Sequence, residues 1–326
     1  MSFRDTLINS WSKPNLLTLL LWPVSQIYRS LYWLRTKLYN IDFFKRYKAS
    51  VPVIVVGNLT VGGTGKTPLV IYLVERLRAA GYTPGVISRG YGSAAPLFPF
   101  HVGLETSVAE AGDEPFLIVN RTAAPLVIGP NRGESIDALL AKHAVDVIIS
   151  DDGLQHLALQ RDIELCLLDK TSPQNNRNLL PAGPYRESLS RLSSVDFVIN
   201  HGGSEGEHIM HLVAGEPASL LPDKGSLLFD AKEPIHAMAG IGNPQRFFDT
   251  CDSLDYQFTA HAFPDHHDFT ADDINFGDSL NVLMTEKDAV KCKNFALRKH
   301  WYLPVNAKLS GNLIEQLLEI LTSLSK

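Results

Sequence analysis

The sequence contains few cysteines, and they lie far apart. Its 326 residues include three, Cys166, Cys251 and Cys292, and no two of them form a C-x-x-C pair. An odd number of widely spaced cysteines excludes a disulfide framework and a zinc knuckle. We therefore expect a protein of a reducing compartment.

The chain also lacks a long hydrophobic run, an internal repeat and a low-complexity tract. Its longest apolar stretch, residues 16–24, is interrupted by Thr18 and Pro23. It falls well short of the roughly 20 residues that span a bilayer. The bulky, basic residues 28–38 that follow lack the small-x-small cleavage site of a secretory signal. Neither a transmembrane helix nor a cleaved leader is predicted.

Positive charge is scarce except at the N-terminus. Residues 1–50 carry eight Lys or Arg and two acids, a net charge of +6, whereas the remainder carries −11. The same segment holds ten of the 29 aromatic residues. Trp and Tyr favour the headgroup level of a membrane, and basic side chains attract anionic lipid. The segment therefore predicts a helix on a membrane surface, with a helix that covers the protein's own core as the alternative. The overall negative charge and the lack of a recognisable module argue against nucleic acid.

The length predicts about two domains, and 45% hydrophobic with 20% charged residues indicates a folded chain. Short β-branched runs alternate with helical patterns at 68–80 and 134–143. The runs lie at 51–56, 83–88, 126–128, 145–149, 163–168 and 195–199. This alternation predicts an α/β fold with a mostly parallel sheet covered by helices, of the phosphate-loop nucleotide-binding type. Ligands of such sheets lie beyond the carboxyl ends of the strands.

A glycine-rich loop follows the first run. Residues 57–67 read GNLTVGGTGKT, with Thr60 where the strict phosphate-loop pattern has its first glycine. Backbone N–H groups there can surround phosphate at a helix N-terminus, Lys66 can reach the terminal phosphates, and the Thr67 hydroxyl can ligate Mg²⁺. The residues predicted to bind nucleotide are Gly62, Gly63, Thr64, Gly65, Lys66 and Thr67.

Other polar residues follow the later runs. Asp151 and Asp152 are suited to a second-strand Mg²⁺ site, with a solvated Asp-Asp-Gly turn as the alternative. Asp113 could accept a proton from an attacking hydroxyl, and three arginines could grip phosphate. Ordinary surface loops remain the alternative for each. The arginines are Arg89, Arg132 and Arg186.

The last third shows a second α/β pattern. Strands are predicted at 234–239, 280–284 and 300–305, and helices from 245 and over 309–324. We divide the chain into the N-terminal segment 1–50, a phosphate-loop domain 51–206, a linker 207–228 and a smaller domain 229–326. The loop at 262–268 is rich in histidine, and a histidine there could orient or relay a proton for Asp113. A transition-metal site is the weaker interpretation, because no matching ligand pair occurs elsewhere.

Seven motifs follow one another along nearly the whole chain. They are 57–67, SRGYG at 88–92, GDEP at 112–115, DDGLQH at 151–156, GIGNP at 240–244, FPDH at 263–266 and TEKD at 285–288. Together, in this order, they closely resemble the tetraacyldisaccharide 4′-kinases of lipid A biosynthesis. The resemblance implies Mg²⁺-dependent transfer of the γ-phosphate of ATP to the 4′-hydroxyl of a tetraacyl disaccharide 1-phosphate, at the cytoplasmic face of the inner membrane of a Gram-negative bacterium. It implies no obligate protein partner.

The resemblance also implies roles for individual residues. Asp113 corresponds to the catalytic aspartate, and His266 is its expected partner, with His261 and His267 left open. Lys66 and Asp151 are further catalytic candidates. Metal ligands fall on Thr67, Asp151, Asp152 and Glu187, and acceptor-binding residues on Arg89, Tyr91 and Arg186.

Two other classes compete with a kinase. A deviant phosphate-loop switch or partitioning ATPase also lacks the first glycine, but it carries a lysine just before the two glycines, where this chain has Val61. A non-enzymatic membrane-binding module would leave the phosphate loop and the paired acids without a purpose.

Overall fold

The computed structural model describes residues 7–8, 10–11, 15–171, 176–221 and 229–324. Its strands are β1 (Val53–Asn58), β2 (Pro84–Ser88), β3 (Phe100–Val102), β4 (Leu126–Ile128), β5 (Val147–Ser150), β6 (Ile163–Asp169), β7 (Phe197–His201), β8 (His208–Ala214), β9 (Ala218–Ser219), β10 (Ile235–Ala239), β11 (Phe258–Ala262), β12 (Asn281–Thr285), β13 (His300–Leu303) and β14 (Val305–Ser310). Its α-helices are α1 (Leu16–Asn40), α2 (Lys66–Ala79), α3 (Val108–Ala111), α4 (Asp113–Thr122), α5 (Arg132–Lys142), α6 (Pro244–Ser253), α7 (Glu286–Cys292) and α8 (Leu313–Leu324).

Nine strands form the larger sheet, in the order β14-β8-β7-β6-β1-β5-β2-β4-β3. The pairs from β8 to β4 are parallel, and the two edge pairs, β14 with β8 and β3 with β4, are antiparallel. Strand β1 is buried throughout: Ile54 faces one hydrophobic core with α2, α4 and α8, while Val53 faces the other with α5. Burial on both faces explains why the central strands are continuous apolar runs.

Five strands form the smaller sheet, in the order β11-β10-β12-β13-β9, which is parallel except for β9. Helix α6 covers one face through Phe247, Phe248 and Cys251, and α7 covers the other through Ala289 and Cys292. The predicted α/β class, with one large mostly parallel sheet and a smaller α/β unit, is confirmed. We call the two sheets with their helices the larger half and the smaller half.

The chain does not divide between the halves at a single linker. Strand β8 lies within the predicted linker 207–228, yet it pairs with β7 and β14 of the larger sheet; residues 222–228 lie outside the described residues. The C-terminal β14 and α8 also return to the larger half. The helix predicted over 309–324 starts only at Leu313, because residues 305–310 alternate apolar and polar side chains with the period of a strand.

Helix α1 packs on the larger half through small and polar side chains. Asn15 caps its N-terminus. Ser25 donates to the Leu179 carbonyl at 2.8 Å, and the Tyr28 hydroxyl donates to the Arg186 carbonyl at 2.9 Å. Its large apolar residues face outward instead. The exposed ones are Leu16, Leu19, Leu20, Trp22, Val24, Ile27, Leu31, Trp33 and Leu34.

This orientation leaves the apolar side of α1 outside the protein's own core. Within the described ranges, no helix is long and apolar enough to cross a membrane. One side of α1 covers part of the protein's own core through Tyr28, and the other side exposes apolar residues.

The packing of α8 predicts which of its side chains stabilise the folded protein. Leu317 is fully buried in the core of the larger half, so Leu317→Ala should lower the free energy of unfolding by about 2–5 kcal/mol. Chemical denaturation followed by circular dichroism measures the change. Glu319→Ala, on the exposed side of the same helix, should change it by less than about 0.5 kcal/mol. Equal effects of the two substitutions would contradict the packing of α8 described here.

Candidate active site

The carboxyl ends of the parallel strands of the larger sheet meet along one edge. The glycine-rich loop follows β1, and the paired acids follow β5, which pairs with β1. Arg89 follows β2, on the other side of β5. Because neighbouring parallel strands end at the same edge, residues distant in sequence are brought together there.

The glycine-rich loop ends in an open helix N-terminus. Gly65 is the N-cap of α2, has a φ of +95°, and makes no side-chain cap. The first N–H groups of α2 therefore remain available to an anion. Lys66 Nζ lies 3.1 Å from Asn58 Oδ1 and 3.4 Å from Asp152 Oδ1. This geometry is that of a phosphate-binding loop, despite Thr60 in place of the first glycine.

Asp151 is a buried carboxylate, with 1% of its surface exposed. Ser88 Oγ donates to its Oδ2 at 3.1 Å, while its Oδ1 is buried and accepts no hydrogen bond from the described part of the chain. Burial and the nearby Glu114 and Asp152 carboxylates raise the pKa of Asp151 to about 7. A carboxylate in these surroundings is suited to a cation, which would favour its ionised form.

Asp152 is held by two cations. Arg186 Nη1 contacts both of its carboxylate oxygens, at 3.1 and 3.0 Å, and Lys66 lies beside it. Burial raises the pKa of Asp152, but Lys66 and Arg186 outweigh that effect and hold it below its usual value. Asp152 is therefore the ionised member of the pair.

Glu187 lies away from these acids. Gln155 Nε2 donates to Glu187 Oε1 at 2.7 Å and to the Asn58 carbonyl at 3.0 Å, and Arg191 Nε lies 3.4 Å from Glu187 Oε2. No three His, Cys, Asp or Glu side chains converge as a metal site among the described residues. The structure thus brings together Asp151 and Asp152 of the predicted metal ligands, and it does not bring Glu187 to them.

Arg132 is buried, whereas the sequence predicted an arginine that grips phosphate or lies in a surface loop. It is 2% exposed, and it donates to the Gly129 carbonyl at 2.8 Å and to the Asp151 carbonyl at 3.1 Å. These contacts fix the loop after β5.

The sequence alone indicated no role for Gln155. In the structure this residue connects the phosphate loop to Glu187, and its position within the DDGLQH motif is the signal that could have identified it.

Asp113 belongs to the larger half and is contacted from the smaller half. It begins α4 in the larger half, while His266 Nδ1 lies 3.0 Å and Lys291 Nζ 3.1 Å from its Oδ2, both from the smaller half. Burial raises the pKa of Asp113, but His266, Lys291 and Lys287 outweigh it and hold the pKa below its usual range. Asp113 is thus a carboxylate at neutral pH.

Of the three histidines left open, the structure pairs His266 with Asp113. His261 lies 2.9 Å from His236, and His267 lies 3.4 Å from Asp273. His266 has a φ of +61°, in the left-handed region that is unusual for a residue other than glycine. Its side chain is therefore presented to Asp113 by a tight turn.

Tyr91 lies beside the partner of Asp113. Its ring centroid is 6.0 Å from that of His266, and its carbonyl lies close to Gly112, the residue before Asp113. Tyr91, His266 and Asp113 therefore lie next to one another. Both Tyr91 and Arg89, just after β2, are exposed.

Three features together define a phosphate-loop nucleotide-dependent enzyme. They are the glycine-rich loop at the N-terminus of α2, the two acids beyond the adjoining strand, and the ionised carboxylate of Asp113 paired with His266. The family can be given more closely. The chain belongs to the tetraacyldisaccharide-1-phosphate 4′-kinase family, whose family model matches residues 17–322.

Individual relatives agree with this assignment. The chain is 46% identical over 310 residues to the tetraacyldisaccharide 4′-kinase of Psychromonas ingrahamii, covering 94% of this chain and 97% of the relative. It is 46% identical over 304 residues to that of Aeromonas hydrophila, covering 92% and 91%. A crystal structure of "apo" form LpxK from Aquifex aeolicus in complex with ATP superposes with a TM-score of 0.79 at 28% identity, covering 94% of this chain and 100% of that chain. The partitioning ATPase alternative is not favoured.

The geometry of Gly65 predicts a defect in nucleotide binding. An alanine there would keep a left-handed φ at a cost of about 1–2 kcal/mol, with its Cβ 3.0 Å from Met210 Cε. The loop should shift to relieve this strain, so Gly65→Ala should bind ATP about five- to thirty-fold more weakly by calorimetry. Gly81 has a similar φ of +92° but open space around it. Gly81→Ala should therefore keep wild-type affinity; unchanged affinity in Gly65→Ala would contradict the role of the loop.

Proposed function

We propose that this protein transfers the γ-phosphate of ATP to the 4′-hydroxyl of a tetraacyl disaccharide 1-phosphate, giving lipid IVA in lipid A biosynthesis. The observation that carries the proposal is the relation of this chain, over nearly its whole length, to proteins named as that kinase. Two site features support it: Lys66 on the glycine-rich loop lies beside Asp152, and the ionised Asp113 lies beside His266. An ATPase that transfers phosphate only to water would not need Asp113 and His266 to accept a proton from an acceptor hydroxyl.

The phosphate loop and Lys66 hold the nucleotide. The open N-terminus of α2 offers N–H donors and a partial positive charge to the phosphates, and Lys66 neutralises the charge that develops on the transferred group. Arg186 also contacts Asp152, so it adds a second positive charge beside the one of Lys66. Positioning and charge neutralisation account for most of the catalysis in reactions of this type.

Mg²⁺ fits the residues beyond β5. Asp151 Oδ1 is buried without a hydrogen bond from the described residues, and the surrounding carboxylates raise the pKa of that side chain. Asp151, Asp152 and the Thr67 hydroxyl would hold the ion, which neutralises phosphate charge when bound. The role that the structure supports for Glu187 is to fix Gln155 rather than to ligate metal.

Asp113 serves as the general base. Its carboxylate accepts the proton of the 4′-hydroxyl as the oxygen forms a bond to the γ-phosphorus, and the bond between that phosphorus and the bridging oxygen of ADP breaks. His266 holds the carboxylate in place at 3.0 Å. Arg89 and Tyr91 line the side from which the acceptor enters, where an arginine suits an anionic lipid.

The membrane surface is the expected location of the acceptor. The outward-facing Leu, Ile and Trp residues of α1 would lie among lipid chains, and its arginines and lysines would meet anionic headgroups. We therefore infer a peripheral enzyme at the cytoplasmic face of the inner membrane. The same helix contacts Arg186 through Tyr28, so the membrane-facing helix lies next to the site.

A transfer assay tests the proposed reaction. Purified protein, γ-labelled ATP and tetraacyl disaccharide 1-phosphate in detergent should give a labelled lipid with Mg²⁺ and none without it. Asp113→Ala should lower kcat by about 10²–10⁴-fold with ATP affinity nearly unchanged, whereas Lys66→Ala should impair ATP binding as well as transfer. The absence of a labelled lipid from the wild-type protein would refute the function, and near-normal turnover of Asp113→Ala would remove it from the base role.

Membrane binding is tested by changing only the exposed side of α1. Leu19→Ser, Leu20→Ser and Trp22→Ser together should greatly reduce sedimentation with vesicles of phosphatidylethanolamine and phosphatidylglycerol, because each loses exposed apolar surface. The matched control replaces the exposed residues Leu104, Leu254 and Leu297 with serine and should sediment like wild type. Equal sedimentation of both triple variants would argue against α1 as the membrane contact.

A further inference from the structure

We propose that Lys291 is a positioning residue for phosphoryl transfer, holding the Asp113 carboxylate from the smaller half. The inference rests on the base role proposed for Asp113. Lys291 Nζ lies 3.1 Å from Asp113 Oδ2 and donates to the His267 carbonyl at 3.2 Å.

Lys291 differs from an ordinary surface lysine. Its side chain is 8% exposed, and its ammonium lies 5.9 Å from the centroid of the Phe269 ring. Exposed ion pairs contribute little because water screens them and flexible side chains must be ordered. An enclosed ammonium with two oxygen partners and an aromatic ring beside it is already ordered, so its charge acts on Asp113 from a fixed point.

Both donors from the smaller half occupy the same oxygen of Asp113. His266 Nδ1 and Lys291 Nζ each contact Oδ2. Among the described residues, Oδ1 of Asp113 receives no hydrogen bond. Holding Oδ2 from two directions fixes the carboxylate plane, which leaves Oδ1 to accept the proton of the acceptor hydroxyl.

The helices α4 and α7, which we call the seam, fix Lys291 relative to the larger half. Val290 of α7 packs into the core of the larger half, whereas its neighbour Ala289 packs into that of the smaller half. Arg121 Nη1 lies 2.9 Å from both carboxylate oxygens of Glu286. Because the seam is tied to both cores, the ammonium of Lys291 is held in a fixed position relative to Asp113.

The charges around Asp113 set the direction of the expected pH effect. The groups that face it are His266, Lys291 and Lys287 on the positive side, with Glu114 beside it and Asp265 near His266. Removing the ammonium of Lys291 removes a charge that favours the carboxylate. Asp113 should then take up a proton at a higher pH, and the enzyme should lose its base earlier as the pH falls.

The test compares pH profiles of kcat/KM for the tetraacyl disaccharide 1-phosphate. In Lys291→Met the acidic limb should move up by about one pH unit or more, and kcat should fall about tenfold with KM for ATP unchanged. Lys291→Arg keeps the charge and should keep the limb near its wild-type position. Lys287→Met is the matched control, because Lys287 lies one turn earlier on α7 and pairs with the more exposed Glu114 at 3.6 Å; its limb should move much less.

An acidic limb in Lys291→Met that coincides with the wild-type limb, or that moves no further than in Lys287→Met, would overturn the proposal. Lys291→Gln, which keeps a donor for the His267 carbonyl and removes the charge, makes the same comparison if the methionine variant does not fold. Failure of the wild-type protein to phosphorylate the lipid would instead refute the proposed function, before any variant is compared.

Discussion

The contact between Asp113 and the smaller half is the interaction on which the site depends. Asp113 begins a helix of the larger half, yet the partners of its carboxylate, His266 and Lys291, come from the smaller half. In the proposed mechanism, the base Asp113 and the phosphate loop belong to the same half, while the contacts that orient the base come from the other. One half would then bind the nucleotide, and both would be needed for the reaction.

The rest of the site follows from the parallel sheet. Because β1 and β5 are neighbours, Lys66 and Asp152 meet although they are far apart in sequence. The two acids then diverge electrostatically: Arg186 and Lys66 keep the pKa of Asp152 low, whereas burial and carboxylate neighbours raise that of Asp151. In the proposed site, a bound cation would neutralise Asp151, whereas protein side chains already neutralise Asp152. Helix α1 carries both the exposed apolar side chains and the contact with Arg186, so it connects that apolar surface to the site.

Local pattern predicted much of this. The β-branched runs predicted six of the nine strands of the larger sheet, β1, β2 and β4 to β7, because these strands are largely buried; β3, β8 and β14 were not predicted. The glycine-rich loop predicted a phosphate site through its place between strand and helix. The histidine that pairs with Asp113 was among three open choices, which only tertiary contacts could separate. The sequence predicted a helix in the N-terminal segment, but composition could not show whether its apolar side faces the core or the outside of the protein.

The features that sequence did not predict all depend on distant contacts. Strand β8 looked like part of a linker because residues 201–226, which include it, are rich in Gly, Ser, Glu and Pro. Its pairing with β14 joins segments about 100 residues apart. Arg132 and Glu187 are residue types suited to binding phosphate and metal. The fold instead places two carbonyls beside Arg132, and the Gln155 amide and Arg191 beside Glu187. Lys291 lies in a helix whose two sides face different cores, a situation that no single periodicity reveals.

Single-turnover phosphoryl transfer in paired variants tests the central claim most directly. His266→Ala and Lys291→Met are each measured in the wild-type chain and in Asp113→Asn, with MgATP saturating. If both residues act through the Asp113 carboxylate, each substitution slows transfer in the wild-type chain, and neither slows it further in Asp113→Asn. Equal fold losses in both backgrounds would show that they act independently of Asp113 and would contradict the account.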